Sequence, residues 1–271
     1  MKCVWFLPLI FVAGCAGSPE GELSFLAVGQ GDCTVFRAGG KTILIDVGPK
    51  TPTFDAGQRI ILPWLRQQGI GTIDLILLTH PDSDHVGGLA AICAKKRVGK
   101  IVIPAHFRSH EGMNETLRGA GVKPENVLWL DRPMEANVGE FKLKMMSPPW
   151  NPEVSDNDGS LFAWIGKDSA TAVISGDAGI ETEMQMAPKA DWSAAIIHAG
   201  HHGSKSSTGD AWLNEVKPKI CVFSCGRDNS YGHPAPEVMD QINRKGIRAY
   251  RTDRDGTLTF RYENGVFVLE R

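Results

Sequence analysis

Short apolar runs punctuated by glycine set the pattern of this chain. Glu22 to Val28 alternates loosely, Gly29-Gln30-Gly31-Asp32 breaks it, and Thr34-Val35-Phe36 resumes a β-like period. Gly39-Gly40 then turns into Lys41-Thr42-Ile43-Leu44-Ile45-Asp46, so the first half opens as a meander of three short strands. Arg59, Ile60, Ile61, Leu62, Trp64 and Leu65 fall at helical spacing, with Gly69 as the stop. Asp74 to Thr79 is almost wholly apolar, as a strand buried on both faces must be. Val86 to Lys95 predicts a helix, Lys100 to Ile103 a strand, and Glu115 to Gly121 the end of another helix.

The second half repeats this logic. Phe141 to Met146, Leu161 to Ile165 and Thr171 to Ser175 read as strands, followed by a helix from about Ile180 to Met186. Ala194 to Ile197, Ile220 to Ser224 and Ile247 to Tyr250 read as strands separated by helical segments around Ala211 and Pro236. Leu258 to Tyr262 and Val266 to Leu269 close as a hairpin turned at Asn264-Gly265. Two β-rich halves, each finishing in βα units, predict one α/β domain over residues 22–271. The expected architecture is an αββα four-layer sandwich, two mixed sheets face to face with helices outside.

The N-terminus breaks the pattern. Lys2 precedes an apolar run from Val4 to Ala13, which has signal-peptide length and is too short to cross a bilayer. Val12-Ala13-Gly14-Cys15 resembles a bacterial lipobox, which implies a signal peptide over residues 1–14, lipidation at Cys15 and a polar tether over 15–21. A non-lipidated secretory signal is the alternative. Either way the chain is expected to be exported, at the periplasmic or cell-surface face, with no transmembrane helix in its mature form.

Composition narrows the chemistry. Of 271 residues, 42 % are apolar, enough for a real core, and the formal charge of −2 excludes a strongly cationic nucleic-acid-coating protein. Without residues 1–14 the charge is −3, because Lys2 is the one charged residue there. Cys221 and Cys225 are four residues apart on one strand, about 13 Å and beyond disulfide reach. With Cys33 and Cys93 they read as small buried hydrophobes.

The chemistry concentrates in Thr79-His80-Pro81-Asp82-Ser83-Asp84-His85-Val86-Gly87-Gly88. Four metal-competent side chains fall within six residues, between a buried strand and a helix start. Setting two histidines and two aspartates there is costly without a cation to neutralise them. A solvated turn with a capping aspartate is the plain alternative.

His80-x-Asp82-x-Asp84-His85 resembles the HxHxDH signature of the metallo-β-lactamase fold, with Asp82 in place of the second histidine. The chain resembles still more closely the extracytoplasmic hydrolase domain of the ComEC competence proteins. The segments that carry this are Val28 to Asp32, Leu78 to Gly88, Asn157 to Leu161, Gly176-Asp177, His201 to Lys205 and Tyr231 to Val238, in order. Departures are Ala27, where an aspartate is usual, and His198, where a lysine is common. The resemblance does not extend to the competence proteins' membrane channel.

The resemblance implies a dinuclear centre. His80, Asp82, Asp84, His85, Asp177 and His202 are the expected metal ligands, Asp177 bridging the two ions, with His201 the alternative to His202. Asp84 is expected to orient the nucleophile, and His233 or Lys205 to hold a phosphate oxygen. Asn157, Ser160, His201, Ser204 and Lys205 are candidates for substrate contact or alternative ligation. Asp32 and Asp46 are expected to support the ligands by hydrogen bonds, whereas His106, His110 and His198 read as solvated or core residues.

Oxygen-rich ligation suits zinc or manganese, and the resemblance points to hydrolysis of phosphodiesters, extracytoplasmic DNA being the natural substrate. Arg244, Lys245, Arg248, Arg251 and Arg254, offset by Asp253 and Asp255, offer a local basic stripe. A cell-surface hydrolase of a small phosphodiester or other ester is the rival function, and a non-catalytic metal-stabilised binding protein a third.

Overall fold

The structure, a computed structural model, describes residues 5–6, 19–149, 151, 153 and 155–270. Cys15 and the first part of the expected tether lie outside the described residues.

Two mixed sheets form the centre. The first runs, edge to edge, through Val266–Leu269, Leu258–Glu263, Glu22–Phe25, Thr34–Ala38, Lys41–Ile45, Thr72–Leu77, Arg97–Pro104 and Val127–Leu130. The second runs through Trp5–Phe6, Met134–Val138, Phe141–Met146, Phe162–Lys167, Ala170–Ile174, Ile196–His198, Ile220–Phe223 and Arg248–Arg251. In each, antiparallel pairing gives way to parallel, at Lys41–Ile45 beside Thr72–Leu77 and at Ala170–Ile174 beside Ile196–His198. Parallel neighbours need crossovers, and these are the helices that cover the outer faces. Trp5–Phe6 falls within the expected signal segment and pairs in parallel with Met134–Glu135.

Three apolar cores correspond to the three interfaces of four layers. Phe25, Phe36, Ile43, Leu77, Phe141, Ile165, Ile174 and Val222 fill the space between the sheets. Leu44, Ile76 and Ile103 pack outward on the helices at Leu62–Gln67, Leu89–Lys95 and Glu111–Gly119. Val173, Ile197 and Cys221 do the same towards Ile180–Met186, Asp210–Val216 and Pro236–Arg244. Alternate residues of each strand thus serve different layers, as the period of two demands.

Several boundaries differ from the pattern's prediction. The expected helix over Val86 to Lys95 is two pieces, Ser83–Val86 and Leu89–Lys95, broken at Gly87-Gly88. The break lets the backbone pass close: a Cβ on Gly88 would lie 2.2 Å from the Val47 carbonyl oxygen, and one on Gly87 2.4 Å from Lys50 N. Helix Leu62–Gln67 is preceded by a π-turn, Gly57–Ile61. Strands Val127–Leu130 and Met134–Val138 were not expected.

The topology puts all chemistry at one end. Strands Lys41–Ile45, Thr72–Leu77, Ala170–Ile174, Ile196–His198 and Ile220–Phe223 finish there, next to Asp46, His80, Asp177, His202 and Ser224. Strand Glu22–Phe25 points the same way, so the chain enters the sandwich at the far end. There Gly21 O accepts from Tyr262 N at 2.8 Å, and Glu20 pairs with Lys167 at 2.8 Å.

Candidate metal centre

The first loop leaves strand Thr72–Leu77 and is held by Asp46, a buried residue in the left-handed region at φ 59°. Its Oδ1 accepts from Thr79 N at 2.9 Å, and its Oδ2 from Thr79 Oγ1 and His85 Nδ1, both at 2.8 Å. The Thr79 hydroxyl has one proton, given to Asp46, so it accepts from His80 Nδ1 at 3.0 Å. This network assigns the Nδ1 protons of His80 and His85, and both Nε2 atoms are turned towards Asp177. One carboxylate orients two imidazoles, directly and through a threonine.

The second half supplies the opposite wall. Asp177 follows Gly176, whose φ of 53° and whose missing Cβ, 2.8 Å from Thr79 Cβ, allow the turn to sit on the first loop. Ser160 Oγ accepts from Asp177 N at 3.2 Å. Asp177 Oδ1 lies 3.2 Å from His85 Nε2, and its Oδ2 lies 3.7 Å from His201 Nε2, 3.7 Å from His202 Nε2 and 3.9 Å from His80 Nε2. His201 and His202 are consecutive left-handed residues, φ 48° and 55°, a costly conformation that only over-determined surroundings keep. His202 is buried; its Nδ1 donates to Ser224 O at 3.0 Å with Asp32 Oδ1 at 3.2 Å, and its Nε2 is 3.2 Å from Asp84 Oδ2. His201 is 31 % exposed at the mouth.

The electrostatics are those of a charged cluster largely withdrawn from water. Burial opposes ionisation of Asp177, but His85, His202 and His80 overcome it and hold the carboxyl well below the usual range. Burial likewise opposes charge on His85 and His202, yet Asp177 with Asp46, and Asp177 with Asp32, keep both imidazoles protonated well above their ordinary pKa. His80, buried and repelled by His85, falls to about 4. Asp84 falls to about 2: burial opposes it, while the His202 hydrogen bond and His85 prevail. A cation entering here replaces the protons of His85 and His202.

Unpartnered atoms mark where that cation fits. Asp32 Oδ2, His80 Nε2, His85 Nε2 and Asp177 Oδ1 are buried without a hydrogen bond, and each such atom costs about 1–3 kcal/mol. Asp32, His85, Asp177 and His202 can each offer a ligand atom, all within 4.8 Å of one another. Nitrogen and carboxylate donors in this number suit a divalent metal.

Other expected site residues stand around this cluster. Asp82 is 46 % exposed, its Oδ2 3.7 Å from His80 Nε2. It precedes helix Ser83–Val86 without a capping bond, so its carboxylate is left for another role. Asn157 opens the 3-10 turn Asn157–Gly159 that leads to Ser160. The His233 ring lies 5.7 Å from that of His201 and 6.3 Å from that of His202, and its Nδ1 is buried without a partner. Ser204 Oγ pairs with Ser206 Oγ at 2.9 Å, and Lys205 is exposed. The structure brings neither of these two into hydrogen-bonding contact with the cluster.

Several roles were invisible in the sequence. Thr79 and Ser224 position imidazoles yet look like ordinary strand-end residues. His198 is a core residue stacked on Phe25, at 5.6 Å and 10°, with Nε2 2.8 Å from Ser224 Oγ and Nδ1 3.6 Å from Asp32 Oδ2. That serine, histidine and aspartate mimic a hydrolytic triad, but all three are buried. His106 Nε2 lies 2.9 Å from Gly159 O and His110 Nε2 3.0 Å from Asp156 Oδ2, so both fasten the Asn157–Gly159 turn from about fifty residues away. The basic stripe is divided: Lys245 pairs with Asp210, Arg251 with Asp253, and Arg248 and Arg251 stand at opposite ends of one strand.

A four-layer αββα sandwich with a histidine–aspartate cluster at the ends of its parallel strands is the metallo-β-lactamase arrangement. Residues 26–227 match the Metallo-beta-lactamase superfamily, and the chain belongs to it. Among individual proteins it is 30 % identical over 278 residues to ComE operon protein 3 of Bacillus subtilis (strain 168), across 97 % of this chain and 36 % of that protein. It is 29 % identical over 257 residues to Competence protein ComA of Neisseria gonorrhoeae, across 93 % and 34 %. These relatives belong to the ComEC family, and the chain spans about a third of their length. The solved structures it resembles include CmlA, a diiron β-hydroxylase from Streptomyces venezuelae, with a TM-score of 0.61 and 16 % identity over 90 % of this chain and 54 % of that one. Another is Tm1679, a metal-dependent hydrolase of the β-lactamase superfamily, with a TM-score of 0.57 and 14 % identity over 89 % and 100 %. At such identities these two likenesses show the fold alone. Among the described residues no helix is long and apolar enough to cross a membrane.

Proposed function

We propose that this protein is a dinuclear metal-dependent phosphodiesterase that cleaves extracytoplasmic DNA, with zinc or manganese as its metal. The observation that carries this reading is the convergence of unpartnered His80 Nε2, His85 Nε2 and Asp177 Oδ1 from two sheets on one point. The DNA assignment is supported by a relative named Competence protein ComA and another named Recombination protein 2. The chain is organised as a signal peptide over 1–14, a tether over 15–21 lipidated at Cys15, and the hydrolase domain over 22–271.

His80, Asp82 and Asp177 would hold one cation, and Asp84, His85, Asp177 and His202 the other. Bound, the two ions supply Lewis acidity towards the phosphoryl oxygens and the attacking water. Asp46 and Asp32 keep the Nδ1 protons of His85 and His202 in place, leaving Nε2 for ligation. Asp84 stays ionised at neutral pH and orients the attacking water through its free lone pairs. His233, whose ring stands beside that of His201, would contact a phosphate oxygen.

A second reading, hydrolysis of a small phosphodiester at the cell surface, is favoured by the net charge of −2 and by the pairing of Lys245 and Arg251 within the basic stripe. One experiment tests both. Protein loaded with zinc or manganese is analysed for metal and offered single-stranded DNA, duplex DNA and bis(p-nitrophenyl) phosphate over a range of salt. Two ions per chain and DNA cleavage that falls steeply with salt are expected. Salt-insensitive cleavage of the small ester alone supports the second reading, and no cleavage with either metal refutes both.

A further inference from the structure

Tyr231 is 70 % exposed, more than any other large hydrophobic residue of the described chain. It is nevertheless held. Asn229 bridges the base of its loop: Oδ1 accepts from His233 N at 2.9 Å, and Nδ2 donates to Gly226 O at 2.9 Å and His233 O at 2.7 Å. Gly226 N in turn donates to Gln30 Oε1 at 3.0 Å, anchoring the loop to the turn beside Asp32. The tyrosine ring stacks on His233, with centroids 5.7 Å apart and planes 27° apart. His233 continues the row inward, 5.7 Å from His201 and 6.3 Å from His202. One face of an aromatic ring is therefore fixed at the rim, and the other is open to solvent.

We propose that Tyr231 is the platform on which one unpaired nucleobase of the substrate stacks, while that nucleotide's phosphate lies against His233. This rests on the phosphodiesterase reading and specifies its substrate as single-stranded. A base within a duplex has both faces covered by its neighbours and cannot present one to Tyr231. Every base has a π-face, so such a contact binds without reading sequence. It also needs no positive charge, which suits a protein of net charge −2 that has little general attraction for a polyanion. Base and 5′-phosphate are separated by one sugar, a reach that covers the single ring-to-ring step from Tyr231 to His233.

The test is calorimetric titration of zinc-loaded protein with thymidine 5′-monophosphate and with methyl phosphate, which carries the anion without the base. In wild type the nucleotide binds more tightly. In Tyr231→Ala the ratio of the two affinities falls by about 5- to 150-fold, the measured worth of one base–aromatic stack, whereas Tyr231→Phe keeps it. Exposure of the side chain lets the alanine variant fold, and its melting temperature checks this. An unaltered ratio in Tyr231→Ala, or no preference for the nucleotide in wild type, overturns the platform. Diester cleavage by the same preparations separates the two ideas. A Tyr231-dependent ratio without cleavage sinks the phosphodiesterase and leaves the platform, and cleavage with an insensitive ratio does the reverse.

Discussion

Replacing Asp46 by asparagine changes one oxygen into an NH2 group and should reverse two imidazoles at once. The backbone is not disturbed, because the left-handed conformation at φ 59° suits asparagine as well as aspartate. If the amide oxygen keeps Thr79 N, the NH2 faces Thr79 Oγ1 and His85 Nδ1. His85 must then accept at Nδ1 and carry its proton on Nε2, aimed at Asp177. The Thr79 hydroxyl turns to donate to His80 Nδ1, which moves that ring's proton to Nε2 as well. Two ligand lone pairs become N–H groups. Loss of such an orienting carboxylate costs about 10- to 100-fold in metal affinity, or about 1–3 kcal/mol.

The metal-free protein should behave differently. Burial lifts the Asp46 carboxyl above its usual range, against the pull of His85. A raised carboxyl costs stability at pH values above its folded pKa, so a neutral amide relieves that cost at neutral pH. Metal-free Asp46→Asn should unfold within about 1 kcal/mol of wild type. Competition with a chromogenic chelator measures the first quantity, and urea unfolding in a strong chelator the second. Unchanged metal affinity would refute the tautomer argument. Equal collapse of affinity and metal-free stability would mean that Asp46 holds the fold and not the ligands.

Glu183 gives a second test. Burial raises it to about 7, only partly offset by the Gly209 and Thr208 amides it accepts from. Its contribution is therefore full below about pH 4.5 and lost as pH rises through 7, so the stability advantage of wild type over Glu183→Gln should shrink by about 3 kcal/mol from pH 4.5 to 8. A flat difference in urea midpoints would contradict this. Gly88→Ala drives a methyl towards the Val47 carbonyl, 2.2 Å away before relaxation, and should destabilise by about 1–3 kcal/mol; an unaltered unfolding curve would show that the loop yields freely. Cys15→Ser should leave an active enzyme that no longer sediments with membranes, and sedimentation that survives a high-salt wash would remove the lipid anchor from the picture.

What could be seen in the sequence was whatever lay close along the chain. His80 to His85 share one loop, and the apolar runs of Lys41 to Ile45 and Ile220 to Phe223 are too short and too rich in β-branched residues to be helices. Strand Met134–Val138 alternates, but Glu135 and Asn137 on its outer face weaken the apolar signal, and Val127–Leu130 is a half-buried edge. Thr79, Ser224, His106 and His110 act through partners brought by other strands, and no local spacing announces them. Gly87-Gly88 lies inside a span that reads as one helix, and the break there answers to the Val47 and Lys50 backbones that pack against it from another strand end.

The chain enters the sandwich at Glu22, at the end of the sheet opposite the cluster, where Glu20 and Gly21 are fastened to Lys167 and Tyr262. A leash attached there pulls on the back of the molecule. Seven residues from Cys15 reach at most about 25 Å when fully extended, shorter than the molecule needs to turn its other end downwards. Anchored through Cys15, the protein would stand with its histidines facing away from the bilayer. It would sample what arrives from outside, and lipids beneath it would be out of its reach.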